Sequence, residues 1–547
     1  MAYRIRWRSM WTALVILSGS LGGSDTLFAT DYIVTIGGGY VPEQNQASLE
    51  ANVIFFQSVL DKLHPAKCSH DIFFSDGDAT EADLQVMAAR EPSKLPATDL
   101  LASLHRRGGP SGSPVEYRNH GVSQCSGPTS PTGIHSAISR IAQAAKTGDR
   151  LLVYVTAHGG EGPEEAPHNT NITCWNDQSI AVQEFAKWLD ELPSDLPVVL
   201  VMAQCYCGGF ADTIFADLQK REGLSPKNRV GFFAQQFDLP AAGCRPDIEH
   251  DQEFSSYFWG AMIGHSRNGE AMPGADADQN GSVSFDEAFA HAVIVGETID
   301  IPLKSTDVLL RKFSRIPDYE LLSERGRREP DPKPSEESAP AQDAADQPAE
   351  KPAEKPEPQQ PEVVLPAKMS GPFRDLLVNA SPATRRIVVE LAQQLELPLD
   401  KSVDDLLRAH ELHRQSPSGR PPQRGPGGRR GGGRRELLAE IAEKWPDLAN
   451  PEEWKKSPLL KAEDQPTLLK DIQQLPSYAA YEQRRLAREE QANQAERHEL
   501  KEVKYRRLID TLENLTLARN LSAAAPQEVV TRYQTLLQLE QSTLGKR

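Results

Sequence analysis

Leu151-Leu-Val-Tyr-Val-Thr-Ala-His158-Gly-Gly160 and Val199-Leu-Val-Met-Ala-Gln-Cys205-Tyr-Cys-Gly-Gly209 decide the fold. Each opens with an unbroken apolar run of strand length and ends on a chemically capable side chain followed by glycine. A strand apolar at every position is buried on both faces, as in parallel sheets covered by helices. Between the runs Val182, Phe185, Leu189 and Leu192 recur at helical spacing, which supplies the crossover that a parallel pair requires. Working outward, residues 32–36, 71–74 and 230–234 read as further strands. Leu49, Val53, Phe56, Leu60 and Leu63 mark one helix face and Ile134, Ile138 and Ile141 another; a helix is also expected around 80–90. The pattern predicts an α/β fold, a mostly parallel sheet with helices on both faces. In such sheets ligands sit beyond the carboxyl ends of the strands, and His158 and Cys205 both fall there.

The chemistry of the pair follows from residue type. A thiolate attacks a carbonyl, and an imidazole titrating near working pH can take the thiol proton and return it to a leaving amine. Backbone N–H groups must face the developing oxyanion. Gly159-Gly160 and Gly208-Gly209 leave the backbone open beside each candidate, and a helix over residues 210–218 would favour the thiolate.

The two segments resemble the signature strands of the caspase and legumain group of cysteine peptidases, which end one strand in His-Gly and the next in Cys-x-Ser-Gly. The similarity covers approximately residues 30–300, and the opening strand with Asn45 and Glu50 beyond it is similar to a bacterial branch of legumain-like peptidases. The resemblance implies a caspase-like fold, Cys205 as nucleophile, His158 as general acid/base, and the N–H groups of Gly159 and Cys205 as oxyanion donors. The substrate would be a protein or peptide. Two departures stand out. Cys207 occupies the family's Ser position, and it is either an alternative nucleophile or a residue that shapes the loop. Ala203 stands two before Cys205, where related members carry an acid, so a P1 preference does not carry over. The competing readings are a metal-binding Cys-x-Cys and a peptidase-like domain used only for binding.

Asp276-Ala-Asp278-Gln-Asn280-Gly-Ser282-Val-Ser284-Phe-Asp-Glu287 matches a twelve-residue EF-hand loop. Oxygen ligands fall at positions 1, 3, 5, 7, 9 and 12, and Gly281 permits the turn at position 6. The metal set is therefore Asp276, Asp278, Asn280, Ser282, Ser284 and Glu287, with Ca2+ as the ion. The exiting helix is credible from Phe285, Phe289 and Val293. Pro273 and Gly274 stand where an entering helix would end. No organic cofactor is implied.

The remaining chain divides by composition. Residues 1–29 read as a signal peptide: Arg4, Arg6 and Arg8, an apolar stretch over 10–21, then Ala29 before the cut. The expected location is exported, periplasmic or extracellular, and in that oxidising setting some of the six cysteines should pair. No other stretch is apolar enough to span a membrane. The peptidase-like domain runs 30–325, followed by a disordered Pro/Glu/Ala-rich linker (326–368), a helical segment (369–415), a Gly/Arg-rich tract (416–435) and a helical tail (436–547) suited to coiled-coil pairing or a protein partner. A formal net charge of −17 argues against general nucleic-acid binding. The Gly/Arg tract reads as a solvated spacer.

Overall fold

A computed structural model describes residues 30–64, 68–87, 96–105, 115–218, 223–243, 253–315, 321–322, 367–416, 433–461 and 463–545. Residues 1–29, read above as a signal peptide, nearly all of the linker and the Gly/Arg tract, and Cys244 lie outside them.

Eleven strands are described: β1 (Asp31–Gly38), β2 (Ser69–Phe74), β3 (Leu84–Met87), β4 (Val115–Arg118), β5 (Arg150–Ala157), β6 (Gly159–Gly160), β7 (Asn171–Cys174), β8 (Gln178–Ala181), β9 (Val198–Met202), β10 (Arg229–Phe233) and β11 (Leu303–Lys304). Six form the main sheet in the order β11-β10-β9-β5-β1-β2. Every neighbouring pair is parallel except β10–β11 at one edge. The α/β reading with a mostly parallel sheet therefore holds. The apolar runs explain it: Val34, Ile36, Val153, Val155 and Val201 have no exposed surface, and burying each such side chain is worth about 1.5–3 kcal/mol.

The chain adds β2 on one side of β1 and later adds β5 on the other. That reversal makes the carboxyl ends of β1 and β5 a switch point, where an open sheet leaves a crevice. Right-handed crossovers in opposite directions send the connecting helices to opposite faces. Helix Ala47–Leu63 meets helix Phe254–Ile263, and helix Pro131–Ala144 meets helix Val182–Asp190.

Two local expectations fail. Residues 84–87 are a strand paired antiparallel with β4, not a helix. Leu84 is buried while Met87 is exposed, and the Gln85 N–H donates to the Asn45 carbonyl at 2.7 Å, so sheet-type bonding claims the segment. After Cys205 the chain forms 3-10 turns over Cys207–Ile214 and Ala216–Leu218 rather than an α-helix over 210–218. Paired glycines weaken an α-helical start, and Asp217 interrupts the run with φ 49°.

The C-terminal helices are not a separate tail. Phe373, Ile387, Leu391, Leu508 and Leu512 share one core with the sheet. Within the helical tail, Tyr478–Ala524 is one long helix, and its distal half is buried through Val503, Leu508 and Leu521. Polar locks complete the junction. Lys304 Nζ lies 2.8 Å from both Asp286 and Glu540. Arg150, on β5, donates to Ser542 Oγ and the Thr543 carbonyl. A second small core joins helix Pro96–His105 to the helices at 434–444 and 465–473 through Leu101, Leu104, Leu437, Ile441 and Ile472.

Candidate active site

The parallel register sets Leu151 opposite Val198 and Val155 opposite Met202, an offset of 47. His158 and Cys205 are separated by the same 47 positions. They therefore stand level on adjacent strands, each just past its end, on the carboxyl edge of the sheet. The Ala203 N–H donates to the Val155 carbonyl at 2.9 Å, carrying the pairing to within two residues of Cys205. The backbones stay close beyond that point: a Cβ on Gly159 would lie 2.2 Å from the Cys205 carbonyl oxygen. Only glycine fits there.

Residues after β1 hold the imidazole. His158 Nε2 is 2.8 Å from the Gln44 carbonyl oxygen and 3.0 Å from Gln46 Oε1. A carbonyl can only accept, so Nε2 carries the proton and Nδ1 the lone pair. Tyr40 packs edge-on against the ring at 5.6 Å. Burial lowers the His158 pKa, and the Gln44 bond partly opposes this.

The thiol is held from the other side. The Ala241 N–H donates to Cys205 Sγ at 3.3 Å, and the Ala242 N–H donates to Asp300 Oδ1 at 2.7 Å. Burial pushes the Cys205 thiol up; the Ala241 bond opposes that and buried Asp300 adds to it. Both shifts favour the uncharged forms, and no hydrogen bond joins the thiol to the imidazole among the described residues. Tyr206 turns the chain sharply after Cys205 with φ 60°, a left-handed conformation uncommon outside glycine. Four bonds secure it: its N–H to the Leu239 carbonyl, Thr170 Oγ1 and the Gly209 N–H to its carbonyl, and its hydroxyl to Glu161.

The strand pairing shows where the two backbone N–H groups expected to face an oxyanion lie. The Thr173 N–H donates to the His158 carbonyl, so Gly159, facing Ile172, is in the non-hydrogen-bonded antiparallel position and its N–H points away from β7. The Cys205 N–H faces its own sulfur and helps to lower the thiol pKa. Gly208 and Gly209 do not serve as open backbone. A Cβ on Gly208 would meet the Phe237 backbone at 2.6 Å, and one on Gly209 the His168 carbonyl at 2.4 Å. Their role is close packing.

Cys207 is fully buried. Its sulfur accepts from the Gln235 N–H at 3.3 Å, and burial drives its thiol pKa far up. It braces the loop against β10. Cys68, Cys125, Cys174, Cys205 and Cys207 are all free thiols, so the expected pairing is not found among the described cysteines.

In the 276–287 loop, oxygens of Asp276, Asp278 and Glu287 converge within 4.8 Å. The carboxylates fold back on backbone N–H groups: Asp276 accepts from Asn280 and Gly281, and Glu287 from Ala277, Asp278 and Ser284. The Ser282 N–H donates to the Asn280 side chain. Ser284 and Glu287 form a capping box on helix Phe285–Val295, and Gly281 takes φ 83°. An all-oxygen set around a tight turn fits a hard divalent cation. No helix enters the loop directly, since helix Phe254–Ile263 ends well before it.

Sequence reading missed Gln44, Gln46, Ala241, Asp300 and Arg507. Arg507, 3% exposed, donates to the carbonyls of Val293, Gly296, Thr298 and Asp300, and so fixes the segment that carries Asp300. An Arg in a polar helix gives no sequence signal for this.

No family model and no curated protein matches the chain. Among solved structures, a Geobacter sulfurreducens protein overlaps 50% of this chain and 92% of its own at 9% identity, with a TM-score of 0.27. That likeness is too weak to bear on fold or function. No helix among the described residues is long and apolar enough to cross a membrane.

Proposed function

We propose that the chain is an exported cysteine-type endopeptidase of the caspase- and legumain-like kind. One observation carries the reading: an imidazole and a thiol level on adjacent parallel strands at the switch-point edge of the sheet. A peptide carbonyl seats beside Cys205 Sγ. The thiol proton passes to His158 Nδ1, which the Gln44 bond leaves with its lone pair, and the sulfur attacks the carbonyl carbon. The oxyanion takes hydrogen bonds from the Gly159 and Cys205 N–H groups. The imidazolium then gives its proton to the leaving amine, and the C–N bond breaks. Water, losing a proton to Nδ1, hydrolyses the thioester and frees the thiol.

Ca2+ in the 276–287 loop is a structural element in this reading. Asp276, Asp278, Asn280, Ser282, Ser284 and Glu287 hold it, and helix Phe285–Val295 links it to the segment carrying Asp300. An imidazole with no hydrogen bond to the thiol, and a thiol raised by burial, also suit a second reading, a peptidase-like module that binds peptides without cutting them.

Purified protein assayed against a peptide library separates these readings. The peptidase reading expects Cys205→Ala to lower turnover by about 10^3-fold or more, with an unchanged melting temperature, and expects iodoacetamide to label Cys205 ahead of the buried thiols. Cleavage that survives Cys205→Ala overturns it, and library binding without cleavage supports the module.

A further inference from the structure

A second group of ligand-type side chains lies outside the dyad and outside the calcium loop. Asp76 follows β2, Asp83 precedes β3 and His120 follows β4, and one ligand atom from each lies within 4.8 Å of the others. The group is enclosed: the side chains of His120 and Asp76 are 5% and 9% exposed, and Asp83 is 1% exposed. Asp76 Oδ1 is buried with no hydrogen-bond partner, and it points at His120 Nε2, 3.9 Å away. A buried carboxylate oxygen without a donor is costly and calls for a positive partner.

We infer that Asp76, Asp83 and His120 form a binding site for a divalent transition-metal ion such as Zn2+, distinct from the all-oxygen calcium loop. Two carboxylates and one imidazole are a donor set for zinc-type ions, whereas calcium takes oxygen alone. In the ion-free arrangement the Val122 N–H donates to His120 Nδ1 at 3.2 Å, so the ring proton sits on Nε2, facing the Gly77 carbonyl at 2.7 Å. An ion between Nε2 and Asp76 Oδ1 would take the place of that proton. The ring would then carry its proton on Nδ1 and give up both the Gly77 and the Val122 bonds. The second shell is already built: Asp83 Oδ1 accepts from the His120 N–H at 2.9 Å, and Asp83 Oδ2 from Asn45 Nδ2 at 3.2 Å. Asn45 lies between Gln44 and Gln46, the two residues that hold His158, so the ion would brace the loop behind the imidazole. The binding claim does not depend on the peptidase reading.

The test is calorimetric titration of tag-free, chelator-stripped full-length protein with Zn2+ in excess Ca2+, which fills the oxygen-only loop. One Zn2+ per chain is expected, with His120→Gln weakening it by at least about ten-fold. Asp76→Asn is expected to weaken it similarly while leaving the ion-free melting temperature unchanged or higher, because it removes the charge from a carboxylate whose buried Oδ1 has no donor. If His120→Gln fails to fold, Asp76→Asn decides alone. Absence of uptake, or uptake that survives these variants, overturns the assignment.

Discussion

The sheet and the C-terminal helices meet in one core, yet the balance of what they bury differs. The strands β1, β5 and β9 bury mostly aliphatic side chains, with the Arg150–Asp31 ion pair at the start of β5 and β1. The helices that dock on them bury Arg507, Glu513, Asn520 and Glu540 as well as leucines. Apolar burial is tolerant of detail, because neighbouring residues can relax around a change. A buried guanidinium donating to four carbonyls is not, because each lost bond strands a polar group. The sheet therefore places the dyad in a robust way, while the helices set the finer position of the loop over Cys205.

The largest test of that contrast sets Arg507→Met against Val201→Ala. The first leaves the carbonyls of Val293, Gly296, Thr298 and Asp300 unpaired in the interior and is expected to cost about 3–5 kcal/mol by urea unfolding. The second removes two methyl groups from a fully buried strand and is expected to cost about 2 kcal/mol. Equal costs would erase the distinction. Arg507→Met should also depress peptide turnover through the Asp300 segment, whereas Val201→Ala should not.

Acid sharpens the comparison further, since one strongly suppressed histidine lies on the sheet and another lies against Arg386 of the C-terminal helices. Burial lowers His70, on β2, to about 4. Burial, with Arg386 close by, lowers His291, on the helix after the calcium loop, to about 4. Between that value and an ordinary pKa of about 6.5 the unfolded chain binds protons that the folded chain refuses. Stability should fall as pH drops from about 6.5 to 4, by about 2 kcal/mol for each group. Replacing either histidine with Gln should remove its share of the slope, as read by denaturant melts across that range. An unchanged slope for both variants would mean that carboxylates alone drive the acid transition.

The smallest effect concerns the imidazole. Gln46→Ala removes one of two acceptors on His158 Nε2 and leaves the Gln44 carbonyl in place. Turnover should drop by about ten-fold or less, in line with one hydrogen bond of about 1 kcal/mol, with no change in melting temperature. A loss as deep as that of Cys205→Ala would mean that Gln46 orients the ring by itself.

What could be read from the chain tracks these differences. The strands ending at His158 and Cys205 were legible because continuous apolar runs have one structural solution, and the 47-residue interval turned out to equal the register offset. The turn over 276–287 was legible because six spaced oxygens and Gly281 form a local pattern. The bonds from Gln44, Gln46 and Ala241 were not, since a carbonyl or amide reaching across the switch point leaves no periodicity. The Asp76, Asp83 and His120 group was hidden for a related reason: three loops far apart in sequence supply one side chain each. The docking of the last helices was hidden because Arg507 and Glu540 look like solvent-facing residues until Lys304 and the 293–300 carbonyls are set against them.

The junction between the halves has a practical corollary. Arg507, Glu540 and Ser542 grip the first half from residues far beyond position 367, so a peptide-bond nick anywhere between residues 322 and 367 would leave every one of those contacts intact. The two pieces would co-elute on gel filtration and part only in denaturant. Covalent continuity across that stretch is dispensable to their union.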